Sequence, residues 1–303
     1  MPILAVSHSL RAIGLKLLGR MGQASGLFLF YLHFRRSIVF SNLRLALGAE
    51  LDEREIHSLA RKIYRNIGIT FLEIARNFSL SRQEMQNSLQ LSEVDKQYIQ
   101  SCLDRGRGIV FISAHIANWE LLAMGLAVHG FPAAIVVKKM TSRISQFLIE
   151  RQRLKTGLEV IYPGGTIERM RSILKKGRIV GFMVDQNTTG KKGIRVNFFG
   201  VPASSIRGLS SLVKDTGAAV IPICAFREPD GTHRVKILPE LSYLTDDSPE
   251  SLLREEWLNT QQYQAAIETL IRMRPEQWLW IHRRWKADRK PIQFETAHLE
   301  NRE

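Results

Sequence analysis

The stretch GIVFISAHIANWELL, residues 108–122, contains the change of hydrophobic pattern on which the fold class depends. Residues 108–114 form a short apolar run rich in β-branched and aromatic side chains, which is typical of a buried strand. The apolar segment after Asn118 has the spacing of a helix. A buried strand followed closely by a helix is the repeating unit of α/β proteins. The stretch therefore predicts a strand, a short turn and a helix that begins near Asn118.

The same alternation continues toward the C-terminus. Short β-rich runs occupy residues 108–114, 133–138, 158–162, 178–185, 219–226 and 232–238. Helical patterns lie between the first four of them, at residues 119–129, 141–156 and 166–176. This order predicts an α/β fold with a mixed, largely parallel sheet flanked by helices. The last two runs are joined by a turn and predict an antiparallel hairpin at one edge of the sheet.

The first third of the chain has few helix breakers. No proline occurs between Pro2 and Pro132, and Gly68 is the single glycine between residues 50 and 105. Such a composition predicts helices. Asp52 and Ser81 are predicted to cap two of them, Ser81 in a capping box with Glu84.

Two parts of the chain follow from these patterns. An N-terminal helical segment covers residues 1–45, and a main domain covers residues 46–303. The main domain is divided into a helical lead-in, residues 46–105, and an α/β core, residues 106–303.

The N-terminal segment contains an uncharged apolar stretch, MGQASGLFLFYLHF, residues 21–34. As a helix it would be about 21 Å long, whereas the hydrocarbon core of a bilayer is about 30 Å thick. One interpretation is a buried core helix, and the other is a helix that lies in a membrane interface. The interfacial helix would place four aromatic side chains in lipid: Phe28, Phe30, Tyr31 and Phe34. Its flanking cations would contact phosphates: Lys16, Arg20, Arg35 and Arg36.

The charge balance predicts an anionic partner. The chain has 43 Lys and Arg against 29 Asp and Glu, a net charge of +14. Nucleic acid, anionic lipid and an acidic carrier protein are the candidates. A nucleic-acid-binding protein would be expected to show a basic stripe with interleaved aromatics or a known module, and neither occurs here. The cations lie near apolar segments, which favours a membrane surface.

His115 and Glu120 form the most informative pair of polar residues. His115 is predicted at the carboxyl end of a strand, where ligand crevices form in α/β sheets. Glu120 falls in the first turn of the next helix and could turn back to hold one ring nitrogen, leaving the other to act as a base toward an alcohol. The alternative is a structural histidine. No G-x-S-x-G motif, phosphate-binding glycine loop or zinc spacing is present.

Several blocks of sequence resemble one family. SAHIANWELL (113–122) resembles the H-x4-D/E motif of the bacterial late lipid A acyltransferases, the lauroyl and myristoyl transferases. Other matching blocks follow the family's order: RRSIVFSNLRLAL (35–47), FLEIAR (71–76), VDQNTTGKKGIRVNFFGVPAS (184–204) and RPEQWLWIHRRWK (274–286).

The resemblance implies the roles of the site residues. His115 would be the general base and Glu120 its partner. Arg153 would hold a phosphate or stabilise the oxyanion, the alternative being a solvated cation on a basic helix. Asp185 and Gln186 would line the same crevice as substrate-binding residues, the alternative for Asp185 being a turn cap.

Asn118, inside the motif, is also predicted to bind substrate. The implied fold is like that of glycerolipid acyltransferases, with the N-terminal segment associated with the membrane.

The resemblance also implies the reaction and its partners. A fatty acyl group would pass from a thioester of acyl carrier protein, or of coenzyme A, to a hydroxyl of a lipid A precursor. The partners would be acyl carrier protein, the anionic membrane lipid acceptor and the cytoplasmic face of the inner membrane, with no nucleic acid. No metal or other cofactor is implied. An acceptor that is another glycolipid or a phospholipid remains the alternative.

Overall fold

The computed structural model describes residues 2–137, 143–162, 165–246 and 251–286. The α-helices are α1 (Pro2–Tyr31), α2 (Arg36–Leu47), α3 (Glu53–Asn77), α4 (Arg82–Ser88), α5 (Glu93–Asp104), α6 (Trp119–Val128), α7 (Arg143–Thr156), α8 (Thr166–Lys175), α9 (Gly208–Thr216) and α10 (Ser251–Met273). The strands are β1 (Leu89–Gln90), β2 (Ile109–Ser113), β3 (Ala133–Val136), β4 (Glu159–Ile161), β5 (Ile179–Met183), β6 (Gly193–Phe198), β7 (Val201–Ile206), β8 (Ala219–Arg227) and β9 (His233–Ile237). Short 3₁₀ turns cover Gly190–Lys192 and Pro275–Gln277. Parts of the sequence prediction lie outside the described residues, namely position 138, positions 141–142 and residues 287–303.

Within these residues one sheet has seven strands in the order β1-β9-β8-β2-β5-β3-β4. All neighbours are parallel except β8 and β9, which form an antiparallel pair. The predicted largely parallel sheet flanked by helices is therefore confirmed. The predicted hairpin is also present, but the two-residue strand β1 pairs with β9 and takes the edge position.

Strand β2 is the fourth of the seven strands, and it contributes side chains to the hydrophobic cores on both sides of the sheet. Val110 and Ile112 pack in a core with α1, α2, α3 and α10, whereas Ile109 and Phe111 pack in a second core with α5 and α6. Successive side chains of a strand point to opposite faces, so an unbroken apolar run is what two covered faces require. All five residues of β2 are buried.

The predicted helix caps at Asp52 and Ser81 are confirmed. Each side chain accepts a hydrogen bond from the third residue of its helix, Glu55 or Glu84, whose carboxylate bonds back to the cap. The antiparallel hairpin of β6 and β7 and the long helix α10 were not predicted from the sequence.

Helix α1 packs on α3 at unusually close range. A Cβ atom at Gly26 would lie 1.9 Å from the carbonyl oxygen of Tyr64, and one at Gly68 would lie 2.0 Å from the carbonyl oxygen of Gly22. Glycines on both helices therefore permit backbone-to-backbone contact.

The N-terminal apolar stretch has both a buried and an exposed side. Phe30 is 2% exposed and packs edge-on against Tyr64, so its predicted insertion into lipid is wrong. Phe28, Tyr31 and Phe34 are 64%, 63% and 47% exposed. No helix in the described part of the chain is long and apolar enough to cross a membrane.

Candidate active site

His115 and Asp185 meet because they follow neighbouring parallel strands. The register of β2 and β5 pairs Ser113 with Met183. Two residues farther along each strand, the chains place His115 beside Asp185 at the carboxyl edge of the sheet. This edge is where α/β proteins form their ligand sites.

Asp185 holds the His115 imidazole through a direct hydrogen bond. Its Oδ1 lies 2.8 Å from Nδ1 of His115, and its Oδ2 accepts hydrogen bonds from the His115 backbone N–H at 3.0 Å and from Trp278 Nε1–H at 2.8 Å. The Asp185 side chain is fully buried, whereas that of His115 is 17% exposed. A carboxylate on Nδ1 stabilises the Nδ1–H tautomer, which leaves Nε2 as the basic nitrogen.

The pair also changes the acidity of both groups. Burial by itself lowers the pKa of His115, but the charge and hydrogen bond of Asp185, with a further contribution from Glu120, raise that pKa above its ordinary value. Burial would raise the pKa of Asp185, yet the His115 ring and the hydrogen bonds from His115 and Trp278 hold it well below its ordinary value. A lowered pKa favours the carboxylate form of Asp185, which stabilises an imidazolium at His115.

Glu120 contacts Arg153 instead of the imidazole. Its two carboxylate oxygens accept hydrogen bonds from Arg153 Nε at 3.1 Å and Nη2 at 2.7 Å. The predicted Glu120–imidazole contact is therefore not the one that forms, because Asp185 occupies Nδ1 and the bidentate guanidinium engages Glu120. Arg153 is 7% exposed, so its interpretation as a solvated cation is wrong. The catalytic role of Glu120 and the substrate contact of Arg153 stay predictions.

Asn118 begins α6, as the hydrophobic pattern predicted. Its Oδ1 accepts the backbone N–H of Leu121 at 3.0 Å, and its amide exchanges hydrogen bonds with the amide of Asn77 at the end of α3. The residue is 1% exposed. This placement anchors the helix that carries Glu120, and the predicted substrate contact of Asn118 stays a prediction.

The amide of Gln186 lies between the second ring nitrogen of His115, Nε2, and the imidazole of His282. Nε2 of Gln186 lies 3.3 Å from Nε2 of His115 and 3.3 Å from Nε2 of His282. The centroids of the two imidazole rings are 5.5 Å apart. Trp119 packs edge-on against His115, with the two ring centroids 4.9 Å apart. Gln186 and Asp185 thus lie beside His115, and their predicted contacts with substrate stay predictions. No site role was predicted for His282. Its signal was present, since His282 lies within the C-terminal block RPEQWLWIHRRWK.

The segment that follows α10, residues 274–286, is called the C-terminal segment, and it holds the loop that carries His115. The backbone N–H of Leu279 donates to the carbonyl of His115 at 3.0 Å, and that of Ala117 donates to the carbonyl of Gln277 at 2.9 Å. Ala117 has a left-handed backbone, φ 44°, which non-glycine residues rarely adopt. A strained loop that a second segment holds in place is a frequent feature of functional sites.

The arrangement can perform general-base catalysis. Nε2 of His115 is the basic nitrogen, Asp185 stabilises the protonated ring, and Gln186 supplies an amide beside the same nitrogen. Among the described residues, no group of three or more His, Cys, Asp and Glu side chains is placed to hold a metal ion. The prediction that no metal or cofactor takes part stays a prediction.

Comparison with known proteins gives a consistent set of relatives. A family profile described as bacterial lipid A biosynthesis acyltransferase matches residues 3–287. The chain is 25% identical to the lipid A biosynthesis lauroyltransferase of Escherichia coli K12, over 88% of this chain and 85% of that protein. It is 24% identical to the lipid A biosynthesis palmitoleoyltransferase of the same organism, over 89% and 84%. It is 28% identical to the phosphatidylinositol mannoside acyltransferase of Mycolicibacterium smegmatis, over 66% and 64%.

Proposed function

Because this chain belongs to the bacterial lipid A biosynthesis acyltransferase family, and is therefore an acyltransferase, we propose that it transfers a fatty acyl group from a thioester to a hydroxyl of a lipid A precursor. The single observation that carries this proposal is the His115 imidazole, whose Nδ1 is held by Asp185 at 2.8 Å and whose Nε2 is the basic nitrogen beside Gln186. A histidine base of this kind suits an alcohol nucleophile.

The proposed chemical steps use the His115–Asp185 pair. Nε2 of His115 removes the proton of the acceptor hydroxyl while the oxygen attacks the thioester carbonyl carbon. The imidazolium that results is stabilised by Asp185. The tetrahedral intermediate then collapses, the carbon–sulfur bond breaks, and the leaving thiolate takes the proton from the imidazolium. The products are an ester and a free thiol, and His115 returns to its neutral form.

The acceptor class is supported by two kinds of relative. The two proteins from E. coli are named for lipid A biosynthesis, and the mycobacterial one is named for acylating phosphatidylinositol mannoside. Both names point to a glycolipid acceptor. The lipid A precursor is the main proposal because the family profile and the relatives with the greater coverage share that name. Another glycolipid or a phospholipid is the alternative acceptor.

The proposed donor is acyl carrier protein, with a coenzyme A thioester as the alternative. Support for an acidic donor comes from the exposed side of α3, where four cations recur at helical spacing: Arg54, Arg61, Lys62 and Arg65. None of these four forms an ion pair with another side chain in the described part of the molecule. Unpaired cations on one helix face favour rapid encounter with an acidic partner.

Attachment to the cytoplasmic face of the inner membrane is a further part of the proposal. Exposed apolar side chains on α1 lie on one side of the helix, opposite the glycines that contact α3: Leu17, Met21, Phe28 and Tyr31. Exposed cations lie beside the N-terminal part of this apolar side, at Lys16 and Arg20, and beyond its C-terminal end, at Arg35. An apolar face with flanking cations is suited to the interface of an anionic bilayer.

The proposed function is tested with purified protein, acyl carrier protein loaded with a fatty acid, and lipid A precursor. We expect a product whose mass increases by one acyl group, and a loss of about 10²- to 10⁴-fold in kcat for His115→Ala. The matched control is His129→Ala, which removes an imidazole at the opposite end of α6 and should leave the rate unchanged. The alternative donor, a coenzyme A thioester, and the alternative acceptors, another glycolipid or a phospholipid, are assayed in the same way. If folded wild-type protein gave no acylated product with any of these donors and acceptors, the proposal would be contradicted.

A further inference from the structure

His282 contacts the active site through the amide of Gln186. That amide nitrogen lies 3.3 Å from Nε2 of His115 and 3.3 Å from Nε2 of His282. One nitrogen therefore bridges two imidazoles, at the nitrogen that the proposed reaction uses as its base.

The donor and acceptor roles in this bridge follow from Asp185. Because Asp185 stabilises the Nδ1–H tautomer of His115, Nε2 of the neutral ring is an acceptor. The neighbouring Gln186 atom must then be the amide nitrogen, which carries two hydrogens. One hydrogen points to His115, and the second points to His282, whose Nε2 must also accept.

His282 is held in place independently of Gln186. Its carbonyl accepts hydrogen bonds from the buried amide of Asn42 at 2.7 Å and from the backbone N–H of Arg284 at 2.9 Å. The fully buried guanidinium of Arg284 in turn donates to the carbonyl of Gln186 at 3.4 Å and to that of Ser204 at 2.5 Å. The C-terminal segment thus holds both the backbone and the side chain of Gln186.

We propose that His282 is a positioning residue that orients the Gln186 amide, so that one N–H donates to the thioester carbonyl oxygen as negative charge develops on it. In the free enzyme this N–H of Gln186 donates a hydrogen bond to Nε2 of His115. When the acceptor hydroxyl takes its place on Nε2, the N–H is released toward the neighbouring carbonyl oxygen, while His282 still holds the second hydrogen. A donor fixed before the reaction stabilises an oxyanion without reorganisation. The inference rests on the acyl transfer proposed above.

A direct role of His282 as a second base is less consistent with its surroundings. Burial lowers its pKa, and the charges of His115 and Arg35 lower it further, although Asp185 acts in the opposite direction. A neutral ring that accepts a hydrogen bond matches this environment.

The test compares three substitutions at position 282. The amide oxygen of Gln lies about as far from the backbone as Nε2 of His, whereas that of Asn reaches only to about Nδ1. We expect His282→Gln to retain kcat within about threefold. We expect His282→Asn and His282→Ala to lower kcat by roughly 10- to 100-fold with KM for the thioester little changed, as a misplaced catalytic group would. Equal losses in all three variants, each with wild-type melting temperature, would overturn the proposal.

A double-mutant cycle tests whether His282 acts through Gln186. Gln186→Ala should lower kcat by about 10²- to 10³-fold, the cost of losing one oxyanion donor. His282→Ala should then cause no further loss in that background. Multiplicative losses would mean that His282 acts by another route and would contradict the proposal.

One measurement separates this inference from the proposed function. Imidazole ¹⁵N resonances of the wild-type protein report the tautomer of His282 without any substrate. An Nδ1–H tautomer whose Nε2 resonance moves in Gln186→Ala supports the inference even if the acceptor has been misidentified. An Nε2–H tautomer would overturn it even if acyl transfer is observed.

Discussion

At the scale of single residues, the site depends on two carboxylates with different partners. Asp185 is fully buried and bonds to the His115 imidazole, whereas Glu120 is engaged by Arg153 at the start of α6. The two acids thus have separate tasks. Asp185 sets the tautomer and the basicity of His115, and Glu120 joins α6 to α7.

We predict that Asp185→Asn changes both the rate and its pH dependence. The base must be neutral, so kcat/KM of the wild-type enzyme should rise with pH through a pKa above about 6.5, because Asp185 raises the pKa of His115. Without the carboxylate that pKa falls, and the acid limb should move to lower pH. The limiting rate should fall by roughly 10²- to 10⁴-fold, since the tautomer is no longer held. A pH–rate profile with an unmoved acid limb would contradict this assignment.

We predict that Arg153→Lys loses much of its activity although the charge is retained. Lysine cannot reproduce the two parallel hydrogen bonds to Glu120. Because the pair is largely buried and lysine can make only one of the two hydrogen bonds, the substitution should also destabilise the protein, by about 1–3 kcal/mol. Kinetics and thermal unfolding together provide the measurement.

The double variant Glu120→Gln/Arg153→Met is the control for this coupling. It should be less destabilised than the sum of its single variants, because neither charge is left alone. Additive losses would indicate that the two residues act independently.

At the scale of elements, the close crossing of α1 and α3 is the most sensitive contact in the N-terminal half. We predict that Gly26→Ala destabilises the protein by more than about 2 kcal/mol, because the new methyl group would meet the Tyr64 carbonyl and force the helices apart. Gly19→Ala on the same helix has nothing within 4 Å of its Cβ, so it should be neutral or stabilising by up to about 1 kcal/mol. Denaturant unfolding of both variants tests the contact.

A buried ion pair joins α3 to β8. Glu73 accepts hydrogen bonds from Arg227 at two positions, both 2.7 Å, and lies 3.3 Å from His233. Burial alone would raise the pKa of Glu73, but the two basic side chains hold that pKa at about 2.

We predict that this pair contributes to stability in an acid-sensitive way. A depressed carboxyl pKa stabilises the fold above its ordinary value of about 4.5, and the contribution is lost as the pH falls toward 2. Glu73→Gln should cost about 3–5 kcal/mol at neutral pH, because Arg227 is left unpaired, and should flatten the pH dependence below 4.5. Free energies of unfolding measured from pH 7 to pH 2 test this, and parallel curves for the two proteins would contradict it.

At the scale of the whole molecule, one side of α1 presents apolar groups to the surroundings. Phe28 is 64% exposed, on the side opposite the glycines that contact α3. Because Phe30 belongs to the core that α1 shares with the sheet, removing the whole segment would damage the fold. Substitutions at exposed positions are therefore the better probe of membrane attachment.

We predict that Phe28→Glu weakens binding to vesicles that contain anionic phospholipid by roughly tenfold or more. The substitution removes an apolar contact with lipid and adds a negative charge that the anionic head groups repel. The matched control is Val94→Glu on α5, which places the same charge at a 75% exposed apolar position elsewhere on the molecule. Cosedimentation at moderate salt measures both. Equal binding by the two variants would mean that α1 is not the attachment face.

Much of the fold could be predicted because the responsible signals are local. The apolar run before His115 and the spacing after Asn118 depend only on neighbouring residues, and both elements formed as expected. The β6–β7 hairpin was missed because its strands are only partly buried and have no continuous apolar run. His282 lies in a block that matches the family, but it was missed because a single histidine in an aromatic segment has no local feature that distinguishes a site residue from a packed one.

The amino-acid sequence by itself determined the alternation of strands and helices, and thereby the position of His115 at the carboxyl end of a strand. Only the tertiary structure decided which carboxylate reaches its ring. Asp185 is 70 residues away, and it arrives because β5 pairs with β2 in parallel register, whereas the nearer Glu120 is drawn to Arg153 on α7. Strand order and helix packing are set by burial over the whole chain, so local spacing cannot select between two acids that both follow a strand.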